Sequence, residues 1–195
     1  ADGELAWQQF QKKDFDICLL DVNMPVRDGF SLAKKIRQQS DMIPVLFITA
    51  KSMEEDKLKG FMAGADDYIT KPFSMQELML RMEVFLRRTK KLQSDAAEEY
   101  HLGKLRFAYN ELKIYTDSEA LSLTQREADL LKFFALHLNK ILKREELLLN
   151  VWGKDDYFLG RSMDVFITKL RKHLKADPAI SLETIHGVGF RLQIK

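Results

Sequence analysis

The sequence predicts two units of different class, an α/β unit on a parallel sheet and then an α+β unit of strands, three helices and a closing hairpin. Three observations carry that reading. Up to residue 88, short apolar runs rich in β-branched residues alternate with amphipathic helical patterns. Residues 89–99, Thr-Lys-Lys-Leu-Gln-Ser-Asp-Ala-Ala-Glu-Glu, are mostly polar and lack an apolar stripe, as suits a linker. Beyond them the pattern changes to short strands and capped helices.

In the first unit Ile17 to Val22, Pro44 to Thr49 and Tyr68 to Thr70 read as strands. Continuous apolar runs suit strands covered on both faces. Helical patterns occupy Gly29 to Gln39, Ser52 to Ala63 and Ser74 to Arg88, the second opened by the capping box Ser52-Met53-Glu54-Glu55. Strand and helix in alternation imply right-handed crossovers, and hence a parallel sheet.

In the second unit Leu102 to Ile114 and Leu121 to Leu123 read as short antiparallel strands, with turns at Tyr109-Asn110 and Asp117-Ser118. Three helices follow: Thr124 to Leu138, opened by the capping box Thr124-Gln125-Arg126-Glu127, then Arg144 to Trp152, then Arg161 to Lys175. A hairpin from Leu182 to Ile185 turns through Gly187-Val188-Gly189 into Phe190 to Ile194. Together they form a winged helix-turn-helix pattern. The expected boundaries are 1–88, a linker at 89–99, and 100–195.

Bulk properties exclude several classes. With 195 residues, 46% hydrophobic and 31% charged, the chain has a globular balance, and no apolar run is long enough for a membrane span. The start, Ala1-Asp2-Gly3-Glu4, has no secretory pattern, and the single cysteine, Cys18, sits inside an apolar run as an inert core thiol, so a cytoplasmic protein is expected. His101, His137, His173 and His186 show no metal-ligand spacing. The net charge of +2 is unevenly placed: −1 in residues 1–88, −1 in 89–99 and +4 in 100–195. An anionic partner is therefore sought at the second unit.

Ligands of parallel sheets bind beyond the carboxyl ends of the strands, which here carry Asp21, Thr49 and Lys71. A carboxylate can attack phosphorus to give an acyl phosphate, while a hydroxyl and an ammonium can hold phosphoryl oxygens. The three together make a phosphorylation site. A cis bond between Lys71 and Pro72 would aim the lysine into it.

Leu19-Leu20-Asp21-Val22-Asn23-Met24-Pro25 with Asp28-Gly29, then Ile48-Thr49-Ala50, then Gly64-Ala65-Asp66-Asp67-Tyr68-Ile69-Thr70-Lys71-Pro72-Phe73 resembles the receiver domain of two-component response regulators. The resemblance implies a flavodoxin-like sheet and transfer of phosphate to Asp21 from a histidine kinase. It implies Mg²⁺ held by Asp21, the backbone carbonyl of Asn23 and an upstream acidic pair. Thr49 would move towards the phosphate and Tyr68 would turn inward, although Tyr68 also reads as a plain strand aromatic. Receivers begin with a strand, an acidic pair, a helix and a second strand, none of which precedes Ala1, so the chain is expected to omit that segment. An activated homodimer is implied, with charge pairs Lys57–Glu77, Asp67–Arg81 and Asp66–Arg88; ordinary solvated surface is the other reading of these residues.

In the helix expected at 161–175, Met163, Ile167, Leu170 and Leu174 form a buried stripe, and five basic residues face one acid, Asp164. A cationic outer face suits the DNA major groove. Val165 and Phe166 lie outside that stripe, where they could meet thymine methyls; Phe166 also reads as core. Residues 102–195, with Trp152-Gly153, Arg161-Ser162-Met163-Asp164-Val165 and Gly187-Val188-Gly189-Phe190, resemble the winged-helix output domain of the same regulators. That resemblance implies phosphate contacts from Trp152, Arg161, Ser162, Phe166, Thr168 and Arg171, and base contacts from Lys169 and Val165. Lys172 adds to the cationic face, and His186 stands at the wing tip where arginine is commonest. The loop from Gly153 to Gly160, with Asp155 and Asp156, is the expected contact for RNA polymerase.

The function expected is a phosphorylation-gated regulator that binds double-stranded promoter DNA, rather than an enzyme. A regulator of the same architecture that needs no phosphate is the alternative. An aspartate-nucleophile phosphohydrolase is a remoter one, because such enzymes carry a second acid where this chain has Asn23.

Overall fold

The structure, a computed structural model, describes residues 2–50, 59–91, 98–153 and 157–195, with the side chains of 87–91 and 157–162 outside that description. The chain divides into two compact units, Ala1–Asp95 and Ala96–Lys195.

The first unit contains α1 (Gly3–Phe10), β1 (Cys18–Asp21), α2 (Gly29–Gln39), β2 (Val45–Thr49), β3 (Asp67–Thr70) and α3 (Met75–Lys91). Its three strands are parallel in the order β1-β2-β3, with Leu20 opposite Phe47 and Phe47 opposite Tyr68. Val45, Leu46 and Phe47 are fully buried, as the continuous apolar run requires. Of the helix expected at Ser52 to Ala63, residues 52–58 lie outside the described residues and 59–62 are helical. The last helix runs to Lys91, into the expected linker, and the next strand opens at Glu99.

Helix α1 was not among the expected elements. Its cap is nonetheless written in the sequence: the Asp2 carboxylate accepts the amides of Glu4 at 3.0 Å and Leu5 at 2.8 Å. Such a cap satisfies donors that the first helical turn leaves open. Trp7 stacks on Phe10 at 5.8 Å between ring centroids, and Lys35 of α2 lies 5.0 Å above the Trp7 ring.

One buried side chain ties the amino ends of the strands together. Arg37, in the last turn of α2, donates to the carbonyls of Gly64 at 2.8 Å and Ile43 at 2.6 Å. It also meets the Asp66 carboxylate at 2.5 Å, whose same oxygen accepts the Val45 amide at 2.9 Å. Gly64 has φ +104°, and a Cβ there would sit 2.6 Å from the Arg37 Cγ, so glycine answers both the backbone and the arginine.

The second unit opens with an antiparallel sheet, β4 (Glu99–Leu102), β5 (Leu105–Ala108), β6 (Lys113–Tyr115) and β7 (Ala120–Ser122), in sequential order. Then come α4 (Gln125–Leu136), β8 (Leu142–Lys143), α5 (Arg144–Leu147) continued by a π-helical turn Leu148–Trp152, and α6 (Tyr157–Leu174). The hairpin β9 (Ile180–Ile185) and β10 (Gly189–Ile194) closes the chain, with β8 on the outer edge of β10. Thr124 and Glu127 form the capping box expected of them. Two differences from expectation have simple causes. Strand β8 is too short to give a period, and α6 begins at Tyr157 because one interior glycine, Gly160, costs a helix only about 1 kcal/mol.

No helix among the described residues is long and apolar enough to cross a membrane.

Removing one partner of a buried ion pair costs roughly 3–5 kcal/mol. Arg37→Ala should therefore lower the stability of the first unit by about 3 kcal/mol in chemical denaturation. A loss below about 1 kcal/mol would show that Arg37 does not hold the strands.

Candidate functional site

The carboxyl ends of the three parallel strands bring Asp21, Thr49 and Lys71 to one edge. Asp21 closes β1 opposite Ile48, Thr49 closes β2 opposite Thr70, and the Lys71 amide donates to the Thr49 carbonyl at 2.8 Å. The Lys71 ammonium then lies 2.6 Å from one Asp21 carboxylate oxygen. The other accepts the Asn23 amide at 2.9 Å. The Lys71–Pro72 bond is cis.

The Asp28-Gly29 pair sets the floor of this edge. Asp28 caps α2 by accepting the Ser31 amide at 2.7 Å. A Cβ on Gly29 would lie 2.3 Å from the Asp21 carbonyl oxygen, so only glycine lets α2 start this close to β1.

Electrostatics favour an ionised Asp21. Its partial burial pushes the carboxyl up, but the Lys71 hydrogen bond, the Asn23 amide and the Lys71 charge outweigh that and hold it below the usual carboxylate value. Cys18, on the same strand, is buried and its thiol is pushed up to about 11, so it stays protonated near neutral pH.

The donor set for Mg²⁺ is incomplete among the described residues. Asp21 and the Asn23 carbonyl are present, but no group of three or more His, Cys, Asp or Glu side chains converges to hold a metal. A hard divalent cation takes six oxygen ligands and favours carboxylates, so these residues alone do not make its site.

Tyr68 is buried, with its ring 6.4 Å from Phe47 and 6.5 Å from Phe61. The residues expected to pair across a dimer are differently placed. Asp66 is 1% exposed and bound to Arg37 and Val45 within its own chain, so a pairing with Arg88 across a dimer would have to break those contacts. Asp67 and Glu77 both bind Arg81 of the same chain, at 2.9 and 2.6 Å. Lys57 and the Arg88 side chain lie outside the described residues.

In the second unit, the expected core stripe on α6 is present: Met163, Ile167, Leu170 and Leu174 are buried. Phe166 joins them at 0% exposed, so it is core and not a DNA contact. It stands three residues after Met163 and four before Leu170, within the arc an apolar helix face covers, and its ring packs 5.6 Å from Trp152. Thr168 and Lys172 are exposed, Val165 and Lys169 partly so, and His186 is exposed at the hairpin turn. Arg171 donates to the Leu182 carbonyl at 2.7 Å and the Thr184 hydroxyl at 2.6 Å, holding β9 against α6. The side chains of Arg161 and Ser162, and Asp155 and Asp156, lie outside the described residues.

Trp152 carries a buried indole N–H with no hydrogen-bond partner among the described residues. Beside it lies Arg126, 2% exposed, whose guanidinium donates to the Val151 carbonyl and sits 5.2 Å from the Trp152 ring. The sequence marked Arg126 only as the middle of a capping box, since nothing in helical spacing tells a buried arginine from a solvated one. Val26, 84% exposed at φ +66°, is likewise unforeseen, because a β-branched residue rarely holds a left-handed backbone.

Comparison with known proteins places these features. Residues 1–83 match the family described as "Response regulator receiver domain", and residues 118–192 that described as "Transcriptional regulatory protein, C terminal". The chain is 46% identical over 191 residues to transcriptional regulatory protein RprY of Bacteroides fragilis, covering 98% of this chain and 81% of that protein. It is 34% identical over 194 residues to TrcR of Mycobacterium tuberculosis, covering 98% and 75%. Among solved structures, a point mutant of RitR aligns over 100% of this chain and 86% of its own, at 25% identity and a TM-score of 0.71.

A carboxylate held down by its neighbours stabilises the folded state above its ordinary range, and that contribution disappears as pH falls through the folded-state value. Lys71→Met should raise the Asp21 pKa, read by carboxyl NMR titration, and move the acid edge of stability upward. An unshifted Asp21 titration would contradict the role given to Lys71.

Proposed function

The chain belongs to the response regulators that join a receiver domain to a winged-helix DNA-binding domain, and from that premise we propose that Asp21 is the residue its histidine kinase phosphorylates. The protein is a phosphorylation-gated transcription regulator. The observation that carries the assignment of Asp21 is the strand-end contact in which Lys71 and the Asn23 amide hold its two oxygens.

In the proposed transfer an Asp21 oxygen attacks the phosphorus of a phosphohistidine, forming a P–O bond as the P–N bond breaks and the imidazole leaves. Lys71 exchanges its contact with Asp21 for one with a phosphoryl oxygen, and the Thr49 hydroxyl donates to another. Were Mg²⁺ bound, Asp21 and the Asn23 carbonyl would hold it among the described residues, and it would supply charge neutralisation to the transfer. Tyr68, whose ring lies against Phe47 and Phe61, is the residue assigned to the switch that turns inward in the active state. The functional boundaries proposed are a receiver at 1–88, a connection at 89–99 and an output domain at 100–195.

On DNA, α6 is the recognition helix and the β9–β10 hairpin the wing. Arg161, Ser162, Thr168 and Trp152 serve the phosphate backbone, Val165 and Lys169 the bases, and Lys172 and His186 add contacts at the rim. The proposed active form is a homodimer in a cytoplasmic setting that meets RNA polymerase through the α5–α6 connection. Glu77, Asp67 and Arg81 would then exchange their contacts within the chain for contacts across it. Glu77 is exposed, but Asp67 and Arg81 are nearly inaccessible within the chain, so giving up their contact costs more than the about 0–1 kcal/mol of an exposed pair.

Two experiments test this reading. Incubation of the complete protein with a small phosphodonor and Mg²⁺, followed by intact mass, should show one phosphate on the wild type and none on Asp21→Asn. Equal uptake by both would remove Asp21 from the role. Lys172→Ala should make the negative slope of log affinity against log salt shallower by about 0.9, the loss of one neutralised phosphate. An unchanged slope would reject α6 as the DNA-facing helix.

A further inference from the structure

We propose that Glu127 is a positioning residue for DNA recognition, holding Lys169 in place and cancelling its charge so that this lysine reads bases and does not neutralise phosphate. The inference rests on the reading of α6 as the recognition helix.

Glu127 lies in the first turn of α4, and its side chain is 5% exposed. One carboxylate oxygen accepts the Thr124 amide at 2.9 Å and closes the capping box. The other lies 3.2 Å from the Lys169 ammonium on α6. A carboxylate this deeply buried requires a counter-charge, since leaving it alone costs several kcal/mol. The adjacent Arg126 is directed to the Val151 carbonyl, the Trp152 ring and, at 4.0 Å, the Asp129 carboxylate. Lys169 is the cation brought to the second Glu127 oxygen from the other helix.

Lys169 is restrained on a second side. Its ammonium lies 5.6 Å from the centroid of the Phe166 ring, and Phe166 is itself fixed in the core against Trp152. The lysine side chain nevertheless keeps 30% of its surface exposed, so a base edge can still reach it. Carboxylate and ring thus remove rotamer freedom that binding would otherwise have to remove, which is preorganisation.

Charge arithmetic separates the two lysines of α6. A cation already matched by a fixed carboxylate displaces few counterions when it docks, whereas an exposed one displaces about one per phosphate contact. Lys172 is exposed and belongs to the second kind. Lys169 keeps donors that can meet a guanine edge, so its contribution is to discrimination.

The test measures salt slopes of the full chain on a short random-sequence duplex, together with affinity for a duplex enriched by selection on the wild type. Lys169→Ala should leave the random-duplex slope unchanged and lower affinity for the selected duplex about tenfold. Glu127→Gln keeps the capping box, because glutamine can replace glutamate there. It should steepen the negative random-duplex slope by about 0.9, and adding Lys169→Ala should abolish that increment. Thermal unfolding of each variant reports whether the fold survives. Because Lys169→Ala leaves the Glu127 carboxylate without its counter-charge, the double variant Glu127→Gln/Lys169→Ala, whose random-duplex slope should equal that of the wild type, decides the matter where a single variant is unstable. A Lys169→Ala slope reduced as much as that of Lys172→Ala overturns the proposal while leaving α6 as the recognition helix. No response from Lys172→Ala either would overturn the recognition-helix reading, and this proposal with it.

Discussion

The contact between Asp21 and Lys71 depends on three parallel strands ending together. Asp21 pairs with Ile48 and Thr49 with Thr70, so the last residues of β1 and β2 and Lys71, the first residue after β3, open onto the same edge. Side-chain direction alternates along a strand, so a slip of one residue in any pair would turn a functional group to the other face. The register is held from the opposite end by Arg37, which joins the end of α2 to the Gly64 carbonyl, Asp66 and the strand start at Val45. Structural charge at one end of the sheet thus keeps chemical charge aligned at the other.

The second unit uses buried charge in a comparable way. Arg126 and Glu127 sit side by side in the first turn of α4, both nearly inaccessible. The first reaches the π-helical turn and Trp152, the second the middle of α6. Arg171 fixes the hairpin to the same helix through Leu182 and Thr184. Groups that touch DNA in this reading are therefore supported by groups that do not, which is how a surface keeps its geometry before a ligand arrives.

Much of this was legible in the sequence because it rests on period and punctuation. The three strands of the first sheet, α2 from Gly29 to Gln39 and the Thr124 capping box follow from apolar runs and cap residues. The strand-end trio was legible because parallel sheets place their chemistry there. What escaped depends on which way a side chain turns. Phe166 belongs to the same helical arc as the core stripe, but the reading from spacing set it outside that stripe, on the DNA-facing side. Asp66 and Asp67 are neighbours of one type, yet one turns inward to Arg37 and the other to Arg81. Helix α1 carried its signal in Asp2, and a single cap residue is too short a cue to mark a helix.

The central claim is that phosphate on Asp21 controls the DNA-binding unit. The most direct measurement is the affinity of the complete protein for a duplex enriched by selection, before and after treatment with a phosphodonor, with Asp21→Asn in parallel. The account predicts tighter binding by the treated wild type and no change in Asp21→Asn. Equal affinity of treated and untreated wild type, or an equal gain in both proteins, would contradict it.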